Sequence, residues 1–173
     1  MGEINMEEVN GTEINVEEVN RTETARTEAA VKRAVKLFDE DHYHCSQAVF
    51  AAFANQLGIA EKEALKIAGC FGSGMNEGEV CGCVTGALMA IGLKYGQCTV
   101  DDYESRTKSR ELCMEFYEKF KTENGSCICR ELLGYDFGKE EDLKKLVEEK
   151  LYLDICPKLV RSAAGIASEL IEK

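Results

Sequence analysis

Apolar residues recur along this chain at helical spacing, and β-branched residues alternate with polar ones almost nowhere. Ala30, Val31, Ala34, Val35, Leu37 and Phe38 form a stripe of that kind, with Lys32, Arg33 and Lys36 set between them. The stripe predicts a helix from about Thr22 to the Asp39–Asp41 region, followed by the connector His42-Tyr43-His44. A second helix is expected from Cys45 to Leu57. It is apolar nearly all round through Ala48, Val49, Ala51, Ala52 and Phe53, the pattern of a buried helix, and Gly58 is its expected C-cap. A third should run over Glu61–Ala68 and end in Gly69.

Next comes a glycine-rich loop, Gly72-Ser73-Gly74-Met75-Asn76-Glu77-Gly78-Glu79, whose glycines supply positive φ and close backbone approach. A helix over Cys81–Tyr95 follows, closed by Gly96. It carries Gly82, Gly86 and Gly92, and each glycine costs about 1 kcal/mol relative to alanine in a helix. Retaining them implies that a neighbouring helix or a bound group packs very close. Gly74, Gly82 and Gly86 are therefore candidates for contact with a cofactor. An amphipathic helix is expected over Val100–Lys121, with Tyr103, Leu112, Cys113, Phe116, Tyr117 and Phe120 as its apolar face. A turn at Glu123–Ser126, one or two helical turns from Cys129, a charged helix over Glu140–Lys150 and a last helix from Pro157 to Ile171 complete the chain. Pro157 suits a first helical position. The fold expected is an all-α bundle of about six or seven helices.

Residues 3–10 and 13–20 are two near-copies of one acidic octapeptide. Two copies are too few for a solenoid, so residues 1–21 read as a solvated acidic tail and 22–173 as one helical domain. The net charge of −11 argues against nucleic-acid binding and against anionic membrane surfaces. No apolar run is long enough to span a bilayer, and the acidic start lacks the apolar core of a signal peptide. A cytoplasmic location is expected, where thiols stay reduced.

Nine cysteines stand against one proline and no tryptophan, which points to thiol redox chemistry or metal ligation. Cys81 and Cys83 bracket Gly82 at a predicted helix start, where unpaired N–H groups and the helix dipole favour a thiolate. Cys127 and Cys129 repeat the Cys-x-Cys spacing, Cys45 follows His42 and His44, and Cys156 opens the last predicted helix. A disulfide across one residue is strained and easily reduced. As ligands, Cys45, Cys81, Cys83, Cys129 and Cys156 would suit an iron–sulfur cluster, zinc or cuprous copper. The spacings are not those of a zinc finger, a plant-type ferredoxin or a c-type haem site. The glycine-rich loop is neither a phosphate loop nor a dinucleotide fingerprint.

Cys70, Cys98 and Cys113 read as filler or incidental surface. Cys83 and Cys127 are intermediate. His42 and His44 could complete a ligand set, though two solvated connector histidines are the plainer reading. Arg110 and Arg130 lie near thiols in sequence and read as surface arginines.

Several segments together carry a resemblance. Cys45-Ser46-Gln47-Ala48-Val49, Phe71-Gly72-Ser73-Gly74-Met75, Cys81-Gly82-Cys83-Val84-Thr85-Gly86-Ala87-Leu88, Cys129-Arg130-Glu131-Leu132-Leu133-Gly134 and Cys156 stand in order along the chain. The chain resembles the small redox-active proteins of the C_GCAxxG_C_C family from about Ala29 to Leu170. The central motif of that family is Cys-Gly-Ala-x-x-Gly, so Cys83 stands where alanine is frequent, and Cys127 is also additional. The resemblance implies a helical protein with a redox role for Cys45, Cys81, Cys129 and Cys156, and it implies no particular reaction. Some relatives share this unit with haem-bearing cytochromes, but the attachment motif is absent here. The expectation is a redox protein whose four matched cysteines converge beside the glycine-rich loop, as exchanging thiol–disulfide pairs or as ligands of a redox metal. The alternative is a metal-binding module without turnover. The redox partner is not specified. A two-fold dimer is the commonest assembly, with Gly82, Gly86 and Ala90 packing on a symmetry mate or on the Cys45 helix.

Overall fold

Helix α1 spans Val16–Asp39 in the computed structural model, which describes residues 16–135, 139–150 and 152–173. It begins before the expected Thr22, taking in the end of the second acidic repeat, because no glycine or proline interrupts that stretch. The rest of the tail lies outside the described residues. Lys36 stands in the last turn of α1, where a cation suits the helix dipole. Its carbonyl accepts from the Glu40 and Asp41 N–H groups at 3.0 and 3.1 Å, and the chain then turns through His42 at φ 59°.

Helix α2 spans Cys45–Ala52, stopping short of the expected Leu57. The Phe53 and Ala54 N–H groups bond three residues back, at 3.2 Å each, and tighten the chain into turns that reach Gly58 at φ 80°. Phe53 and Ala54 stay fully buried, so the burial seen in the sequence outlasts the helix. Helix α3 is Glu61–Ile67, continued by a 3-10 turn at Ala68–Cys70. Helix α4 is Gly82–Tyr95.

Helix α5 is Tyr103–Asn124. It starts after the expected Val100 because the Asp102 carboxylate caps it, accepting from the Ser105 N–H at 3.0 Å. It ends at Gly125 in the left-handed region. Helix α6 is Cys129–Leu133 and α7 is Glu140–Glu149. Helix α8 is Tyr152–Ile171, so Pro157 lies inside it and is not its first residue. The missing N–H of Pro157 removes only a bond to the Leu153 carbonyl in the opening turn. In return Tyr152, Ile155 and Cys156 pack against the core.

The described residues thus hold eight α helices and no strand, an all-α bundle with one short helix more than expected. Helix α8 supplies Leu159, Val160, Ala163, Ala164, Ile166, Ala167, Leu170 and Ile171 to the core, where they join Ala30, Ala34 and Leu37 of α1. Phe116 and Phe120 of α5 stack with ring centroids 5.8 Å apart. On α4 the small residues seat α2. A β-carbon on Gly86 would stand 2.5 Å from the Ser46 carbonyl and 3.1 Å from the Val49 β-carbon. That face is therefore taken up by the Cys45 helix. No helix of the described residues is long and apolar enough to cross a membrane.

Candidate thiol site

Two helix starts meet at this site. Cys45 is the first residue of α2, behind His44, whose N–H donates to Gln47 Oε1 at 3.1 Å. Cys81 caps α4, its carbonyl accepting from the Val84 and Thr85 N–H groups at 2.9 and 3.0 Å. Ser46 and Gln47 anchor α2 from behind, donating to the Ala68 and Leu65 carbonyls at 2.9 and 2.8 Å. Thr85 Oγ1 donates to the Gly82 carbonyl at 3.1 Å and reaches the Phe71 carbonyl at 3.3 Å, tying α4 to the glycine-rich loop.

That loop is wound left-handed. Ser73, Gly74, Met75 and Asn76 all have φ between 53° and 61°, three of them without the freedom of glycine. Such a run is strained for L-residues and persists only where its surroundings hold it. The Glu79 N–H closes the turn on the Gly74 carbonyl at 3.1 Å. Gly74 has no room for a side chain, since a β-carbon there would meet the Glu79 nitrogen at 2.5 Å and the Cys129 β-carbon at 2.9 Å. The turn brings Ser73 and Cys45 to the border of one cavity.

An isolated antiparallel bridge joins Val80 to Ile128. The Cys81 N–H donates to the Cys127 carbonyl at 2.9 Å and the Cys129 N–H to the Glu79 carbonyl at 2.6 Å. This pairing brings the two Cys-x-Cys segments side by side. It has a sequence signal, a β-branched residue before each of Cys81 and Cys129, which helical periodicity obscures. Arg130 pairs with Glu79 across the same bridge. Arg110 is exposed on α5.

Cys45, Cys81, Cys129 and Cys156 all line one cavity of about 550 Å³. Phe38, Leu133, Leu146 and Leu159 give it apolar walls, and His42, Tyr43, His44, Lys150 and Tyr152 also border it. Both histidines are exposed. Cys83 is fully buried and does not line the cavity. The Cys45 sulfur lies against Gly82, the residue between Cys81 and Cys83, and the three thiols are close enough to perturb one another. Sequence reasoning missed Ser46, Lys150 and the tyrosines, whose types carry no distinctive spacing. Cys127 is half-buried, its sulfur 3.8 Å from the Tyr117 carbonyl. Cys113 is half-buried, and Cys70 and Cys98 are exposed.

The start of α4 was expected to favour thiolates at Cys81 and Cys83, but burial and the neighbouring sulfurs oppose this at Cys83. Interaction with the Cys81 thiol pushes the Cys45 thiol up to about 11, partly offset by Cys83, with burial adding to the rise. The neighbouring Cys45 and Cys81 thiols, with burial, raise Cys83 well above its ordinary value. Burial, followed by the nearby charges of Cys45 and Cys81, raises Cys156.

Among the described residues no three His, Cys, Asp or Glu side chains are arranged to hold a metal ion. The space beside Gly74, Gly82 and Gly86 is filled by protein atoms, the Cys45 sulfur among them at Gly82, and none of these glycines lines the cavity.

The helical bundle and the cavity lined by four cysteines define a cysteine-rich helical protein. The chain belongs to the family described as "Putative redox-active protein (C_GCAxxG_C_C)", whose model matches residues 43–170. That span begins just before Cys45 and includes all four cavity cysteines, while α1 lies outside it. No curated protein and no solved structure gave a match.

Proposed function

We propose that this chain is a thiol–disulfide exchange protein whose working couple is Cys45 and Cys81. The observation that carries the reading is that the Cys45 sulfur rests against Gly82, next to Cys81, while both cysteines line one cavity. A volume of about 550 Å³ lies in the range of small-molecule sites, which favours a low-molecular-weight disulfide as the substrate.

Cys81 attacks as the thiolate, supported by its place at the start of α4. Its sulfur bonds to one sulfur of the substrate disulfide, and the other leaves as a thiolate. Cys45 then gives up its proton and attacks the Cys81 sulfur, forming the Cys45–Cys81 bond and releasing the second substrate thiol. Two electrons and two protons pass from the protein to the substrate disulfide. Every step is reversible, so the couple serves as donor or acceptor according to the poise of its partner. Cys129 and Cys156 border the same space without being needed for the couple.

The test is oxidation of the fully reduced, anaerobically purified protein with oxidised glutathione, followed by thiol counting and mapping of linked peptides. The expected result is reversible loss of two thiols with Cys45 linked to Cys81, retained in Cys129→Ser and Cys156→Ser. A protein purified with stoichiometric iron and acid-labile sulfide, or one in which Cys45 and Cys81 stay reduced, overturns the reading.

A further inference from the structure

One buried nucleophile has no part in the exchange described above. Cys83 is fully buried behind the wall of the cavity, immediately after Gly82 on α4. The Cys45 sulfur itself rests against Gly82, in the space a β-carbon would need. It therefore stands within reach of the sulfurs on both sides of that glycine. Of the three, Cys45 and Cys81 line the cavity and Cys83 does not.

We infer that Cys83 is a second disulfide partner for Cys45, so that the oxidised protein shuttles one bond between a Cys45–Cys81 form in the cavity wall and a Cys45–Cys83 form behind it. This rests on the Cys45–Cys81 reading and extends it. In the shift Cys83 loses its proton and attacks the Cys45 sulfur. The Cys45–Cys83 bond forms, the Cys45–Cys81 bond breaks, and Cys81 leaves as a thiolate that takes up the proton. One S–S bond is exchanged for another, so no electrons are gained or lost and no outside reagent is required.

The consequence is an oxidised state with a free thiol still facing the cavity. A simple dithiol couple has no nucleophile left once its bond has formed. With the bond moved inward, Cys81 is restored while the two oxidising equivalents stay in the protein. Such a protein can capture a second disulfide molecule before the first pair of equivalents has been passed on. The burial of Cys83 keeps the inner bond away from solvent reductants, since thiol exchange needs access to a sulfur.

Gly82 alone separates Cys81 from Cys83, so peptide mass cannot distinguish the two forms and fragmentation between the cysteines is needed. The experiment oxidises wild type, Cys81→Ala and Cys83→Ala with oxidised glutathione, quenches with acid and locates each bond by tandem mass spectrometry. The expected result is both linkages in wild type, Cys45–Cys83 alone in Cys81→Ala and Cys45–Cys81 alone in Cys83→Ala. Oxidised wild type should also retain a Cys81 thiol that reacts with iodoacetamide. Wild type showing only Cys45–Cys81, with Cys45 and Cys83 both free in Cys81→Ala, overturns the second partner and leaves the first couple standing. Wild type with no bond at Cys45 overturns both. Fragmentation of wild type decides the matter even if a variant fails to fold.

Discussion

The Cys45 sulfur occupies the place where a β-carbon on Gly82 would stand. The glycine of the Cys-Gly-Cys segment is thus not a gap left for a ligand but the seat of a third sulfur. Gly82→Ala must push Cys45 away or separate α2 from α4. We expect a loss of about 1–3 kcal/mol, the usual range for an overpacked core, read as a lower urea midpoint of the reduced protein. The variant should also form the Cys45–Cys81 bond more slowly, because the displaced sulfur no longer touches Cys81.

Stability should fall with rising pH in the reduced state. The Cys45 thiol is raised from an ordinary value of 9.0 to about 11, so the folded form holds its proton over a range where the unfolded chain has released it. The stabilisation is complete below pH 9 and is lost as pH climbs toward 11, at about 1 kcal/mol per pH unit for one such thiol. Urea midpoints measured between pH 8 and 11 check this. Cys45→Ala should flatten part of the slope, and what remains includes Cys83 and Cys156, which are raised as well.

Ser46 is buried, and its hydroxyl donates to the Ala68 carbonyl at 2.9 Å. Ser46→Ala leaves that carbonyl without this partner, at an expected cost of about 1–3 kcal/mol. Because Ser46 follows Cys45, the anchor of α2 also loosens, and Cys45 should become easier to alkylate in the folded, reduced protein. A shift in the urea midpoint with no change in alkylation would separate the two effects.

Leu153 borders the cavity at the start of α8 and is 48% exposed. Leu153→Trp should fill part of the cavity at little cost in stability. Reaction of Cys81 with a bulky maleimide is then expected to slow several-fold, while a small alkylating agent is affected less. Equal slowing of both reagents would mean that access to Cys81 does not run through the cavity.

The helices were legible because their signals are local. The Ala30–Phe38 stripe, the small-residue run of α4 and the glycines at positions 58, 125 and 134 each act within a few residues. Helix ends were less legible where a neighbour decided them. Asp102 moved the start of α5, and the packing of Tyr152 and Ile155 let α8 run back past Pro157. The four cavity cysteines stood out by motif, but the relation among sulfurs did not. It depends on the left-handed turn at Ser73–Asn76 and on the bridge between Val80 and Ile128. The first sets Ser73 on the cavity that Cys45 lines and the second sets Cys81 beside Cys127. The low-pKa thiol expected at Cys83 failed because a linear sequence displays helix starts and hides burial.

The left-handed turn and α3 both lie in the chain between Cys45 and Cys81. A bond between those sulfurs would turn this open stretch into a closed ring whose size corresponds to about 3–4 kcal/mol of unfolded-chain entropy. The strain held in the turn would then be borne by a covalent clasp rather than by packing alone. Passing electrons to or from the cavity would tighten or slacken the whole front of the bundle, so the redox state of two atoms would be legible in the melting temperature of the protein.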